Sequence, residues 1–293
     1  MKPNYRVFFF LRNWLIPAGI GLSIIFNNKP ATAFVPYVFE PSKKDLEKTS
    51  LEIGKTAAKL IYYGQLKEAT HLAELAVKIN PNDERLWSIL AEAQVRKNLL
   101  KEASYSIARA KEINPKNAKL WFAEGALKLQ QNELINAISL IEKGLSIEPK
   151  NANAYFQIGN ARIMQFNLQL ALEAFEKAID LEPDFWEAIN NQGLVLFEMG
   201  KAQKAIISWR NAIAISKDSE PTLALAAALN KIENNNQKSL ELAKEALNKN
   251  PNYVSSKYQK EQLWGYQLQQ ATKELLERPE LKYDVGKALE NSN

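Results

Sequence analysis

KINPND at residues 78–83 returns as EINPKN at 112–117, SIEPKN at 146–151, DLEPDF at 180–185 and NKNPNY at 248–253. Pro81, Pro115, Pro149 and Pro183 are each 34 residues apart, and Pro251 stands two periods further on with Lys217 at the position between. An internal period of this length fixes the architecture before any single element is read. With proline as position 32, the units run 50–83, 84–117, 118–151, 152–185, 186–219 and 220–253.

Other columns keep the same register. Position 20 holds Ala69, Ala103, Ala137, Ala171, Ala205 and Ser239; position 27 holds Ala76, Ala110, Gly144, Ala178, Ala212 and Ala246. Seven residues apart, these two columns share one face of a helix, and side chains that small let a second helix approach closely. Ala57, Ala91, Gly125, Gly159, Gly193 and Ala227 at position 8 supply the small partner on the preceding helix. Trp87, Trp121 and Tyr155 at position 4, with Ile107, Ile141, Phe175 and Trp209 at position 24, fill the space between. Each unit therefore reads as two helices, over positions 1–14 and 18–30. The break falls at Gly64, Asn98, Asn132, Asn167, Gly200 and Asn234–Asn236, residue types that tolerate the left-handed geometry ending a helix. The second helix stops before proline. One such pair cannot bury its apolar face, and stacked neighbours can.

This pattern, aromatic at 4, small at 8, Ala at 20 and 27 and Pro at 32, resembles the tetratricopeptide repeat (TPR) over residues 50–253. The resemblance implies an all-α, right-handed α-solenoid of about six helix pairs whose concave groove takes a protein or peptide. The departures are Ile53 at position 4 of the first unit, Lys217 for proline in the fifth, and Pro221 and Asn230 in the sixth.

The flanks read differently. Residues 1–33 hold Lys2, Arg6, Arg12 and Lys29 with no acid, which is all but one of the five surplus positive charges. The apolar run Trp14–Phe26 and the small-residue end Ala31-Thr32-Ala33 complete the layout of a secretory signal, cleaved after Ala33. The competing reading is an anchor retained over residues 7–26, which Arg12 and Asn13 interrupt. Export places the protein in a periplasm or thylakoid lumen. The Pro-Ala-Thr-Ala-Phe end is similar to exported cyanobacterial proteins, and that resemblance implies an assembly factor. Residues 34–49 read as a lead-in, extended until a helix starts near Lys43. At the other end, Ser255–Glu277 reads as one helix with an apolar stripe to cover the last repeat, followed by a short helix over Leu281–Leu289. Gly265 there signals either close packing or a kink.

Composition narrows the chemistry. No cysteine and a single histidine, His71, exclude disulfides, thiol nucleophiles and Cys- or multi-His metal sites. An apolar fraction of 46% with 24% charged excludes a disordered chain. Removing residues 1–33 leaves a nearly neutral protein, so the sequence pI of about 9.0 is no argument for nucleic acid. The chain carries no nucleotide-binding or hydrolase motif, and the expectation is a non-enzyme without cofactor or metal.

In the TPR resemblance the groove is lined by positions 2, 5, 6, 9, 12 and 13 of the first helices. The partner-binding candidates on that basis are Arg85, Arg96, Lys119, Phe122, Phe156, Gln157, Asn160, Asn190, Asn191, Leu194 and Phe197. Aromatic walls would take side chains, and exposed amides would pair with a peptide backbone. Asn160 and Asn191 also match the amides of a family variant that clamps a C-terminal carboxylate, but Phe156, Pro221 and Leu225 replace its cations and leave nothing to neutralise the charge. The functional expectation is an exported scaffold, an assembly or chaperone-like factor; the alternative is an accessory subunit that docks an exported enzyme or secretion machine.

Overall fold

The computed structural model describes residues 40–232 and 236–292. The proposed signal, residues 34–39 of the lead-in and Asn234–Asn235 lie outside them. Residues 42 onward form one compact unit. Among the described residues the structure is helical throughout, in six antiparallel pairs. These are α1 Lys43–Tyr62 with α2 Leu66–Ile79, α3 Glu84–Arg96 with α4 Leu100–Ile113, α5 Ala118–Gln130 with α6 Leu134–Ile147, α7 Ala152–Met164 with α8 Leu168–Leu181, α9 Trp186–Glu198 with α10 Ala202–Ser216, and α11 Ser219–Ile232 with α12 Asn236–Lys249. Then follow a 3₁₀ turn Pro251–Val254, α13 Ser256–Glu261, α14 Tyr266–Leu276, a 3₁₀ turn Pro279–Leu281 and α15 Lys282–Asn291. Helix α1 starts at Lys43, so residues 43–49 of the lead-in are its first two turns, opened by a capping box between Ser42 and Asp45.

The period is visible in the packing. Position 8 meets position 24 of the same unit. A β-carbon on Gly159 would sit 2.5 Å from the Phe175 ring, and one on Gly193 would sit 2.5 Å from Trp209 Nε1, so these glycines are where the two helices come closest. Trp87 Nε1 donates to Pro81 O at 2.8 Å and Trp121 Nε1 to Pro115 O at 2.9 Å, tying each position-4 indole to the proline of the preceding unit. Asp83, Asn117 and Asn151, just past the prolines, cap the next helices through their side chains.

The turn inside each unit uses one left-handed residue: Gly64, Asn98, Asn132, Phe166 and Gly200, again 34 apart. The fourth corrects the expectation of Asn167, which instead caps α8 by accepting from Leu170 N. Phe166 adopts φ 58° and is 91% exposed. A bulky side chain is rare in that region, because its β-carbon crowds the following carbonyl. Lys217 takes the same conformation at the end of α10, where the fifth unit lacks proline.

The C-terminal segment departs from the single helix expected over Ser255–Glu277. The chain breaks between α13 and α14, with Leu263 at φ 64°. Gly265 both kinks and packs closely, since a β-carbon there would run into the Glu198 side chain. Helix α15 packs on α12 and on the Pro251–Val254 turn, and so covers the end of the last repeat. Helix α14 does not cover that end; it lies across α11 and α9.

Candidate interaction groove

First helices of neighbouring units touch one another, α1 with α3, α5 with α7, α7 with α9 and α9 with α11, so the first helices line the inner side of the array. Contact between α3 and α5 is sparser, and there the inner face opens into a groove of about 570 Å³. Its floor is Ile89, Val95, Ala123, Ala126 and Leu127; Ser88, Glu92 and Gln130 add polar groups, and Arg85 and Lys119 stand at its margin. The groove exists because Ala123 and Ala126 are small. Asp83 is held below the usual carboxylate range, chiefly by its hydrogen bond with Arg85. That pair and the Arg96–Glu92 pair at 3.2 Å neutralise most of the charge locally, and Lys119 is an exposed cation at the rim.

Of the eleven residues expected to contact a partner, the groove brings together Arg85 and Lys119. Arg96 is exposed on the same helix but outside the lining. Phe122 turns into its own unit against Gly144, and Phe156 packs on Phe185 and Phe175 with ring centroids 5.0 and 5.9 Å away. Position 5 here serves the core instead of the groove wall. Gln157 donates to Asn153 Oδ1 at 2.6 Å. The amides form a chain of their own: Asn190 Nδ2 donates to Asn191 Oδ1 at 3.1 Å, and Asn191 Nδ2 to Asn160 Oδ1 at 2.8 Å. Asn190, Asn191, Leu194 and Phe197 are all buried, which corrects their assignment to an open surface.

Helix α14 adds to that burial by lying over α9 and α11. From Ala188 to Phe197 almost every residue of α9 is buried, and α11 is buried all round from Pro221 to Leu229. Trp264, Leu268, Ala271 and Leu275 supply the apolar side of the covering segment. Its polar ties are specific. Glu198, at position 13 of the fifth unit, accepts Gln267 N at 3.1 Å and Leu268 N at 2.9 Å, neutralising the first amides of α14 where the helix dipole favours a negative charge. Trp264 Nε1 donates to Glu220 Oε1 at 2.9 Å, and Arg278 Nη1 to Asn230 Oδ1 at 3.1 Å. Burial pushes Glu220 up to about 7 against the pull of its bonds to Trp264, Asn190 and Tyr253. The inner face is thus filled by the chain's own helix over the fifth and sixth units and open over the second and third.

Comparison with protein families matches the tetratricopeptide repeat at residues 152–185 and again at 174–207. The first match coincides with the fourth unit of the 34-residue register. Comparison with curated proteins returns no match. Among solved structures, PilF of Pseudomonas aeruginosa is similar with a TM-score of 0.64 at 16% identity, over 75% of this chain and 98% of that one. MamA of Desulfovibrio magneticus RS-1, in a fragment from residue 41 to the end, gives 0.54 at 18% identity over 60% of this chain and 98% of that one. At such identities the likeness concerns the fold. The repeat register, the position-8 to position-24 packing and the family matches agree that the chain folds as a tetratricopeptide-repeat solenoid, with residues 152–207 matching the family's own models.

Proposed function

We propose that this protein is an exported protein-binding scaffold, an assembly or chaperone-like factor, and that a partner helix or peptide seats in the groove between α3 and α5. The observation that carries the reading is the division of the inner face. The section over the fifth and sixth units is occupied by an amphipathic helix, α14, and the section over the second and third offers an apolar floor that no other described residue covers. A bulky apolar side chain of the partner would enter over Ala123 and Ala126, and Lys119 would favour an acidic residue beside it. Export rests on the basic, apolar and small-residue layout of residues 1–33.

The test fills the groove. Ala126→Trp and Ala123→Arg place bulk and charge on surface that is not fully buried, so helical content and melting should stay close to the parent while partner capture from the exported fraction falls at least tenfold. Capture equal to the parent by both folded variants would sink the assignment.

A further inference from the structure

The turns between the two helices of each unit lie along one edge of the array, and they carry side chains that folding does not call for. Phe166 stands in left-handed geometry at φ 58°, where the first, second, third and fifth units place glycine or asparagine, and its ring is 91% exposed. The backbone is strained there and the ring recovers little contact in exchange. Tyr62 and Tyr63 in the first unit are 81% and 72% exposed, and Ile135 in the third is 78% exposed. In the 34-residue register all four fall at positions 13–18. Ile135 and Gln165 line one shallow hollow, so the turns of the third and fourth units are neighbours along this edge.

The same positions are basic. Over the first five units they hold Lys67, Arg96, Lys97, Lys101 and Lys201, all exposed. Of these, Arg96 is paired with Glu92 at 3.2 Å. The acids at these positions are Glu133 and Glu198, and both are engaged within the molecule: Glu133 with Lys128 at 2.8 Å, and Glu198 with the first amides of α14. The opposite edge, where one unit passes to the next, is different. It is mixed at Lys116 and Lys150 and turns acidic between the fourth and fifth units, where Asp180, Glu182 and Asp184 are exposed with no cation among residues 180–186.

Protruding apolar side chains set among cations suit the boundary between the headgroups and acyl chains of a bilayer, where rings insert and cations meet anionic headgroups. A protein partner would call for a continuous apolar face at the centre of its contact. Here the basic second turn separates Tyr62 and Tyr63 from Ile135 and Phe166, and the basic fifth turn bounds them on the other side.

We propose that the turn edge of the array docks on an anionic lipid surface, with Ile135 and Phe166 as its central apolar contacts. The groove between α3 and α5 would then hold a partner beside the bilayer. The proposal rests on the turn residues alone and is independent of whether residues 1–33 are retained.

The chain has no cysteine, so one introduced thiol can carry an environment-sensitive fluorophore in the full-length protein. Asn136→Cys places it on the turn edge and Asn82→Cys on the opposite edge, both at exposed positions. The probes are vesicles of phosphatidylcholine alone, or of phosphatidylcholine mixed with phosphatidylglycerol, each with and without brominated acyl chains. With the mixed vesicles the label at 136 should shift to the blue and be quenched by the brominated chains, added salt should weaken the response, and the label at 82 should not respond. Ile135→Asn combined with Phe166→Asn should lower the affinity read at 136 by roughly tenfold or more, with helical content unchanged, since asparagine suits the left-handed turn. No response at 136 would overturn the proposal and leave the edge to a protein partner. An equal response at 82, an equal response to vesicles of phosphatidylcholine alone, or an undiminished affinity in the folded double variant would overturn it as well.

Discussion

Phe166 shows how a single residue can depart from its column without disturbing the fold. The left-handed turn recurs at Gly64, Asn98, Asn132 and Gly200, and the backbone imposes it on Phe166 too, although the ring is almost wholly in solvent. Phe166→Asn should therefore raise stability by about 1 kcal/mol in urea unfolding, with no change in helical content; unchanged or lowered stability would mean that the phenylalanine has compensating contacts. The sequence concealed this position because Asn167, a favoured turn residue, stands next to it and is used as a cap. At positions 8, 20, 24 and 27 residue size alone was sufficient, since Gly159 against Phe175 and Gly193 against Trp209 leave one way for the helices to meet. The amides were misleading for a related reason. Asn160, Asn190 and Asn191 bond to one another inside the array, a possibility that spacing along one helix does not reveal.

The helices themselves were legible from period and caps, and the destination of α14 was not. Its apolar stripe announced that it would cover something, and the surface it chose is inner rather than terminal. The signal lies in the partner: Leu223-Ala224-Leu225-Ala226-Ala227-Ala228-Leu229 has no polar side, and a helix apolar all round needs neighbours all round. The N-terminal half of the array offers no such helix, and among the described residues none covers its inner face. Glu198 anchors the start of α14, so Glu198→Ala should cost about 0.5–2 kcal/mol of local stability, seen as faster amide exchange at Gln267 and Leu268 with α3–α6 unaffected. Exchange at those two amides equal to the parent would show that apolar contact alone holds the helix.

Across the whole molecule, the repeat array divides into two regions. From the fourth unit onward one continuous core joins α8–α12 to α14 and the Pro279–Leu281 turn, while the first three units are held by smaller separate clusters. The groove lies in the second region, between α3 and α5, where inner helices touch least. Repeat number and boundaries came from the 34-residue period; which part of the inner face remains free depends on a contact between residues some 70 positions apart, such as Leu268 with Glu198, and no local pattern encodes that. Partners are expected to enter at the open section. A photoreactive benzoylphenylalanine at Ala123, compared with one at the exposed Ile207 on α10, tests it most directly in the native organism. Crosslinks to another protein chain are expected from Ala123 and none from Ile207; crosslinks from Ile207 alone, or equally from both, would rule out entry at the open section.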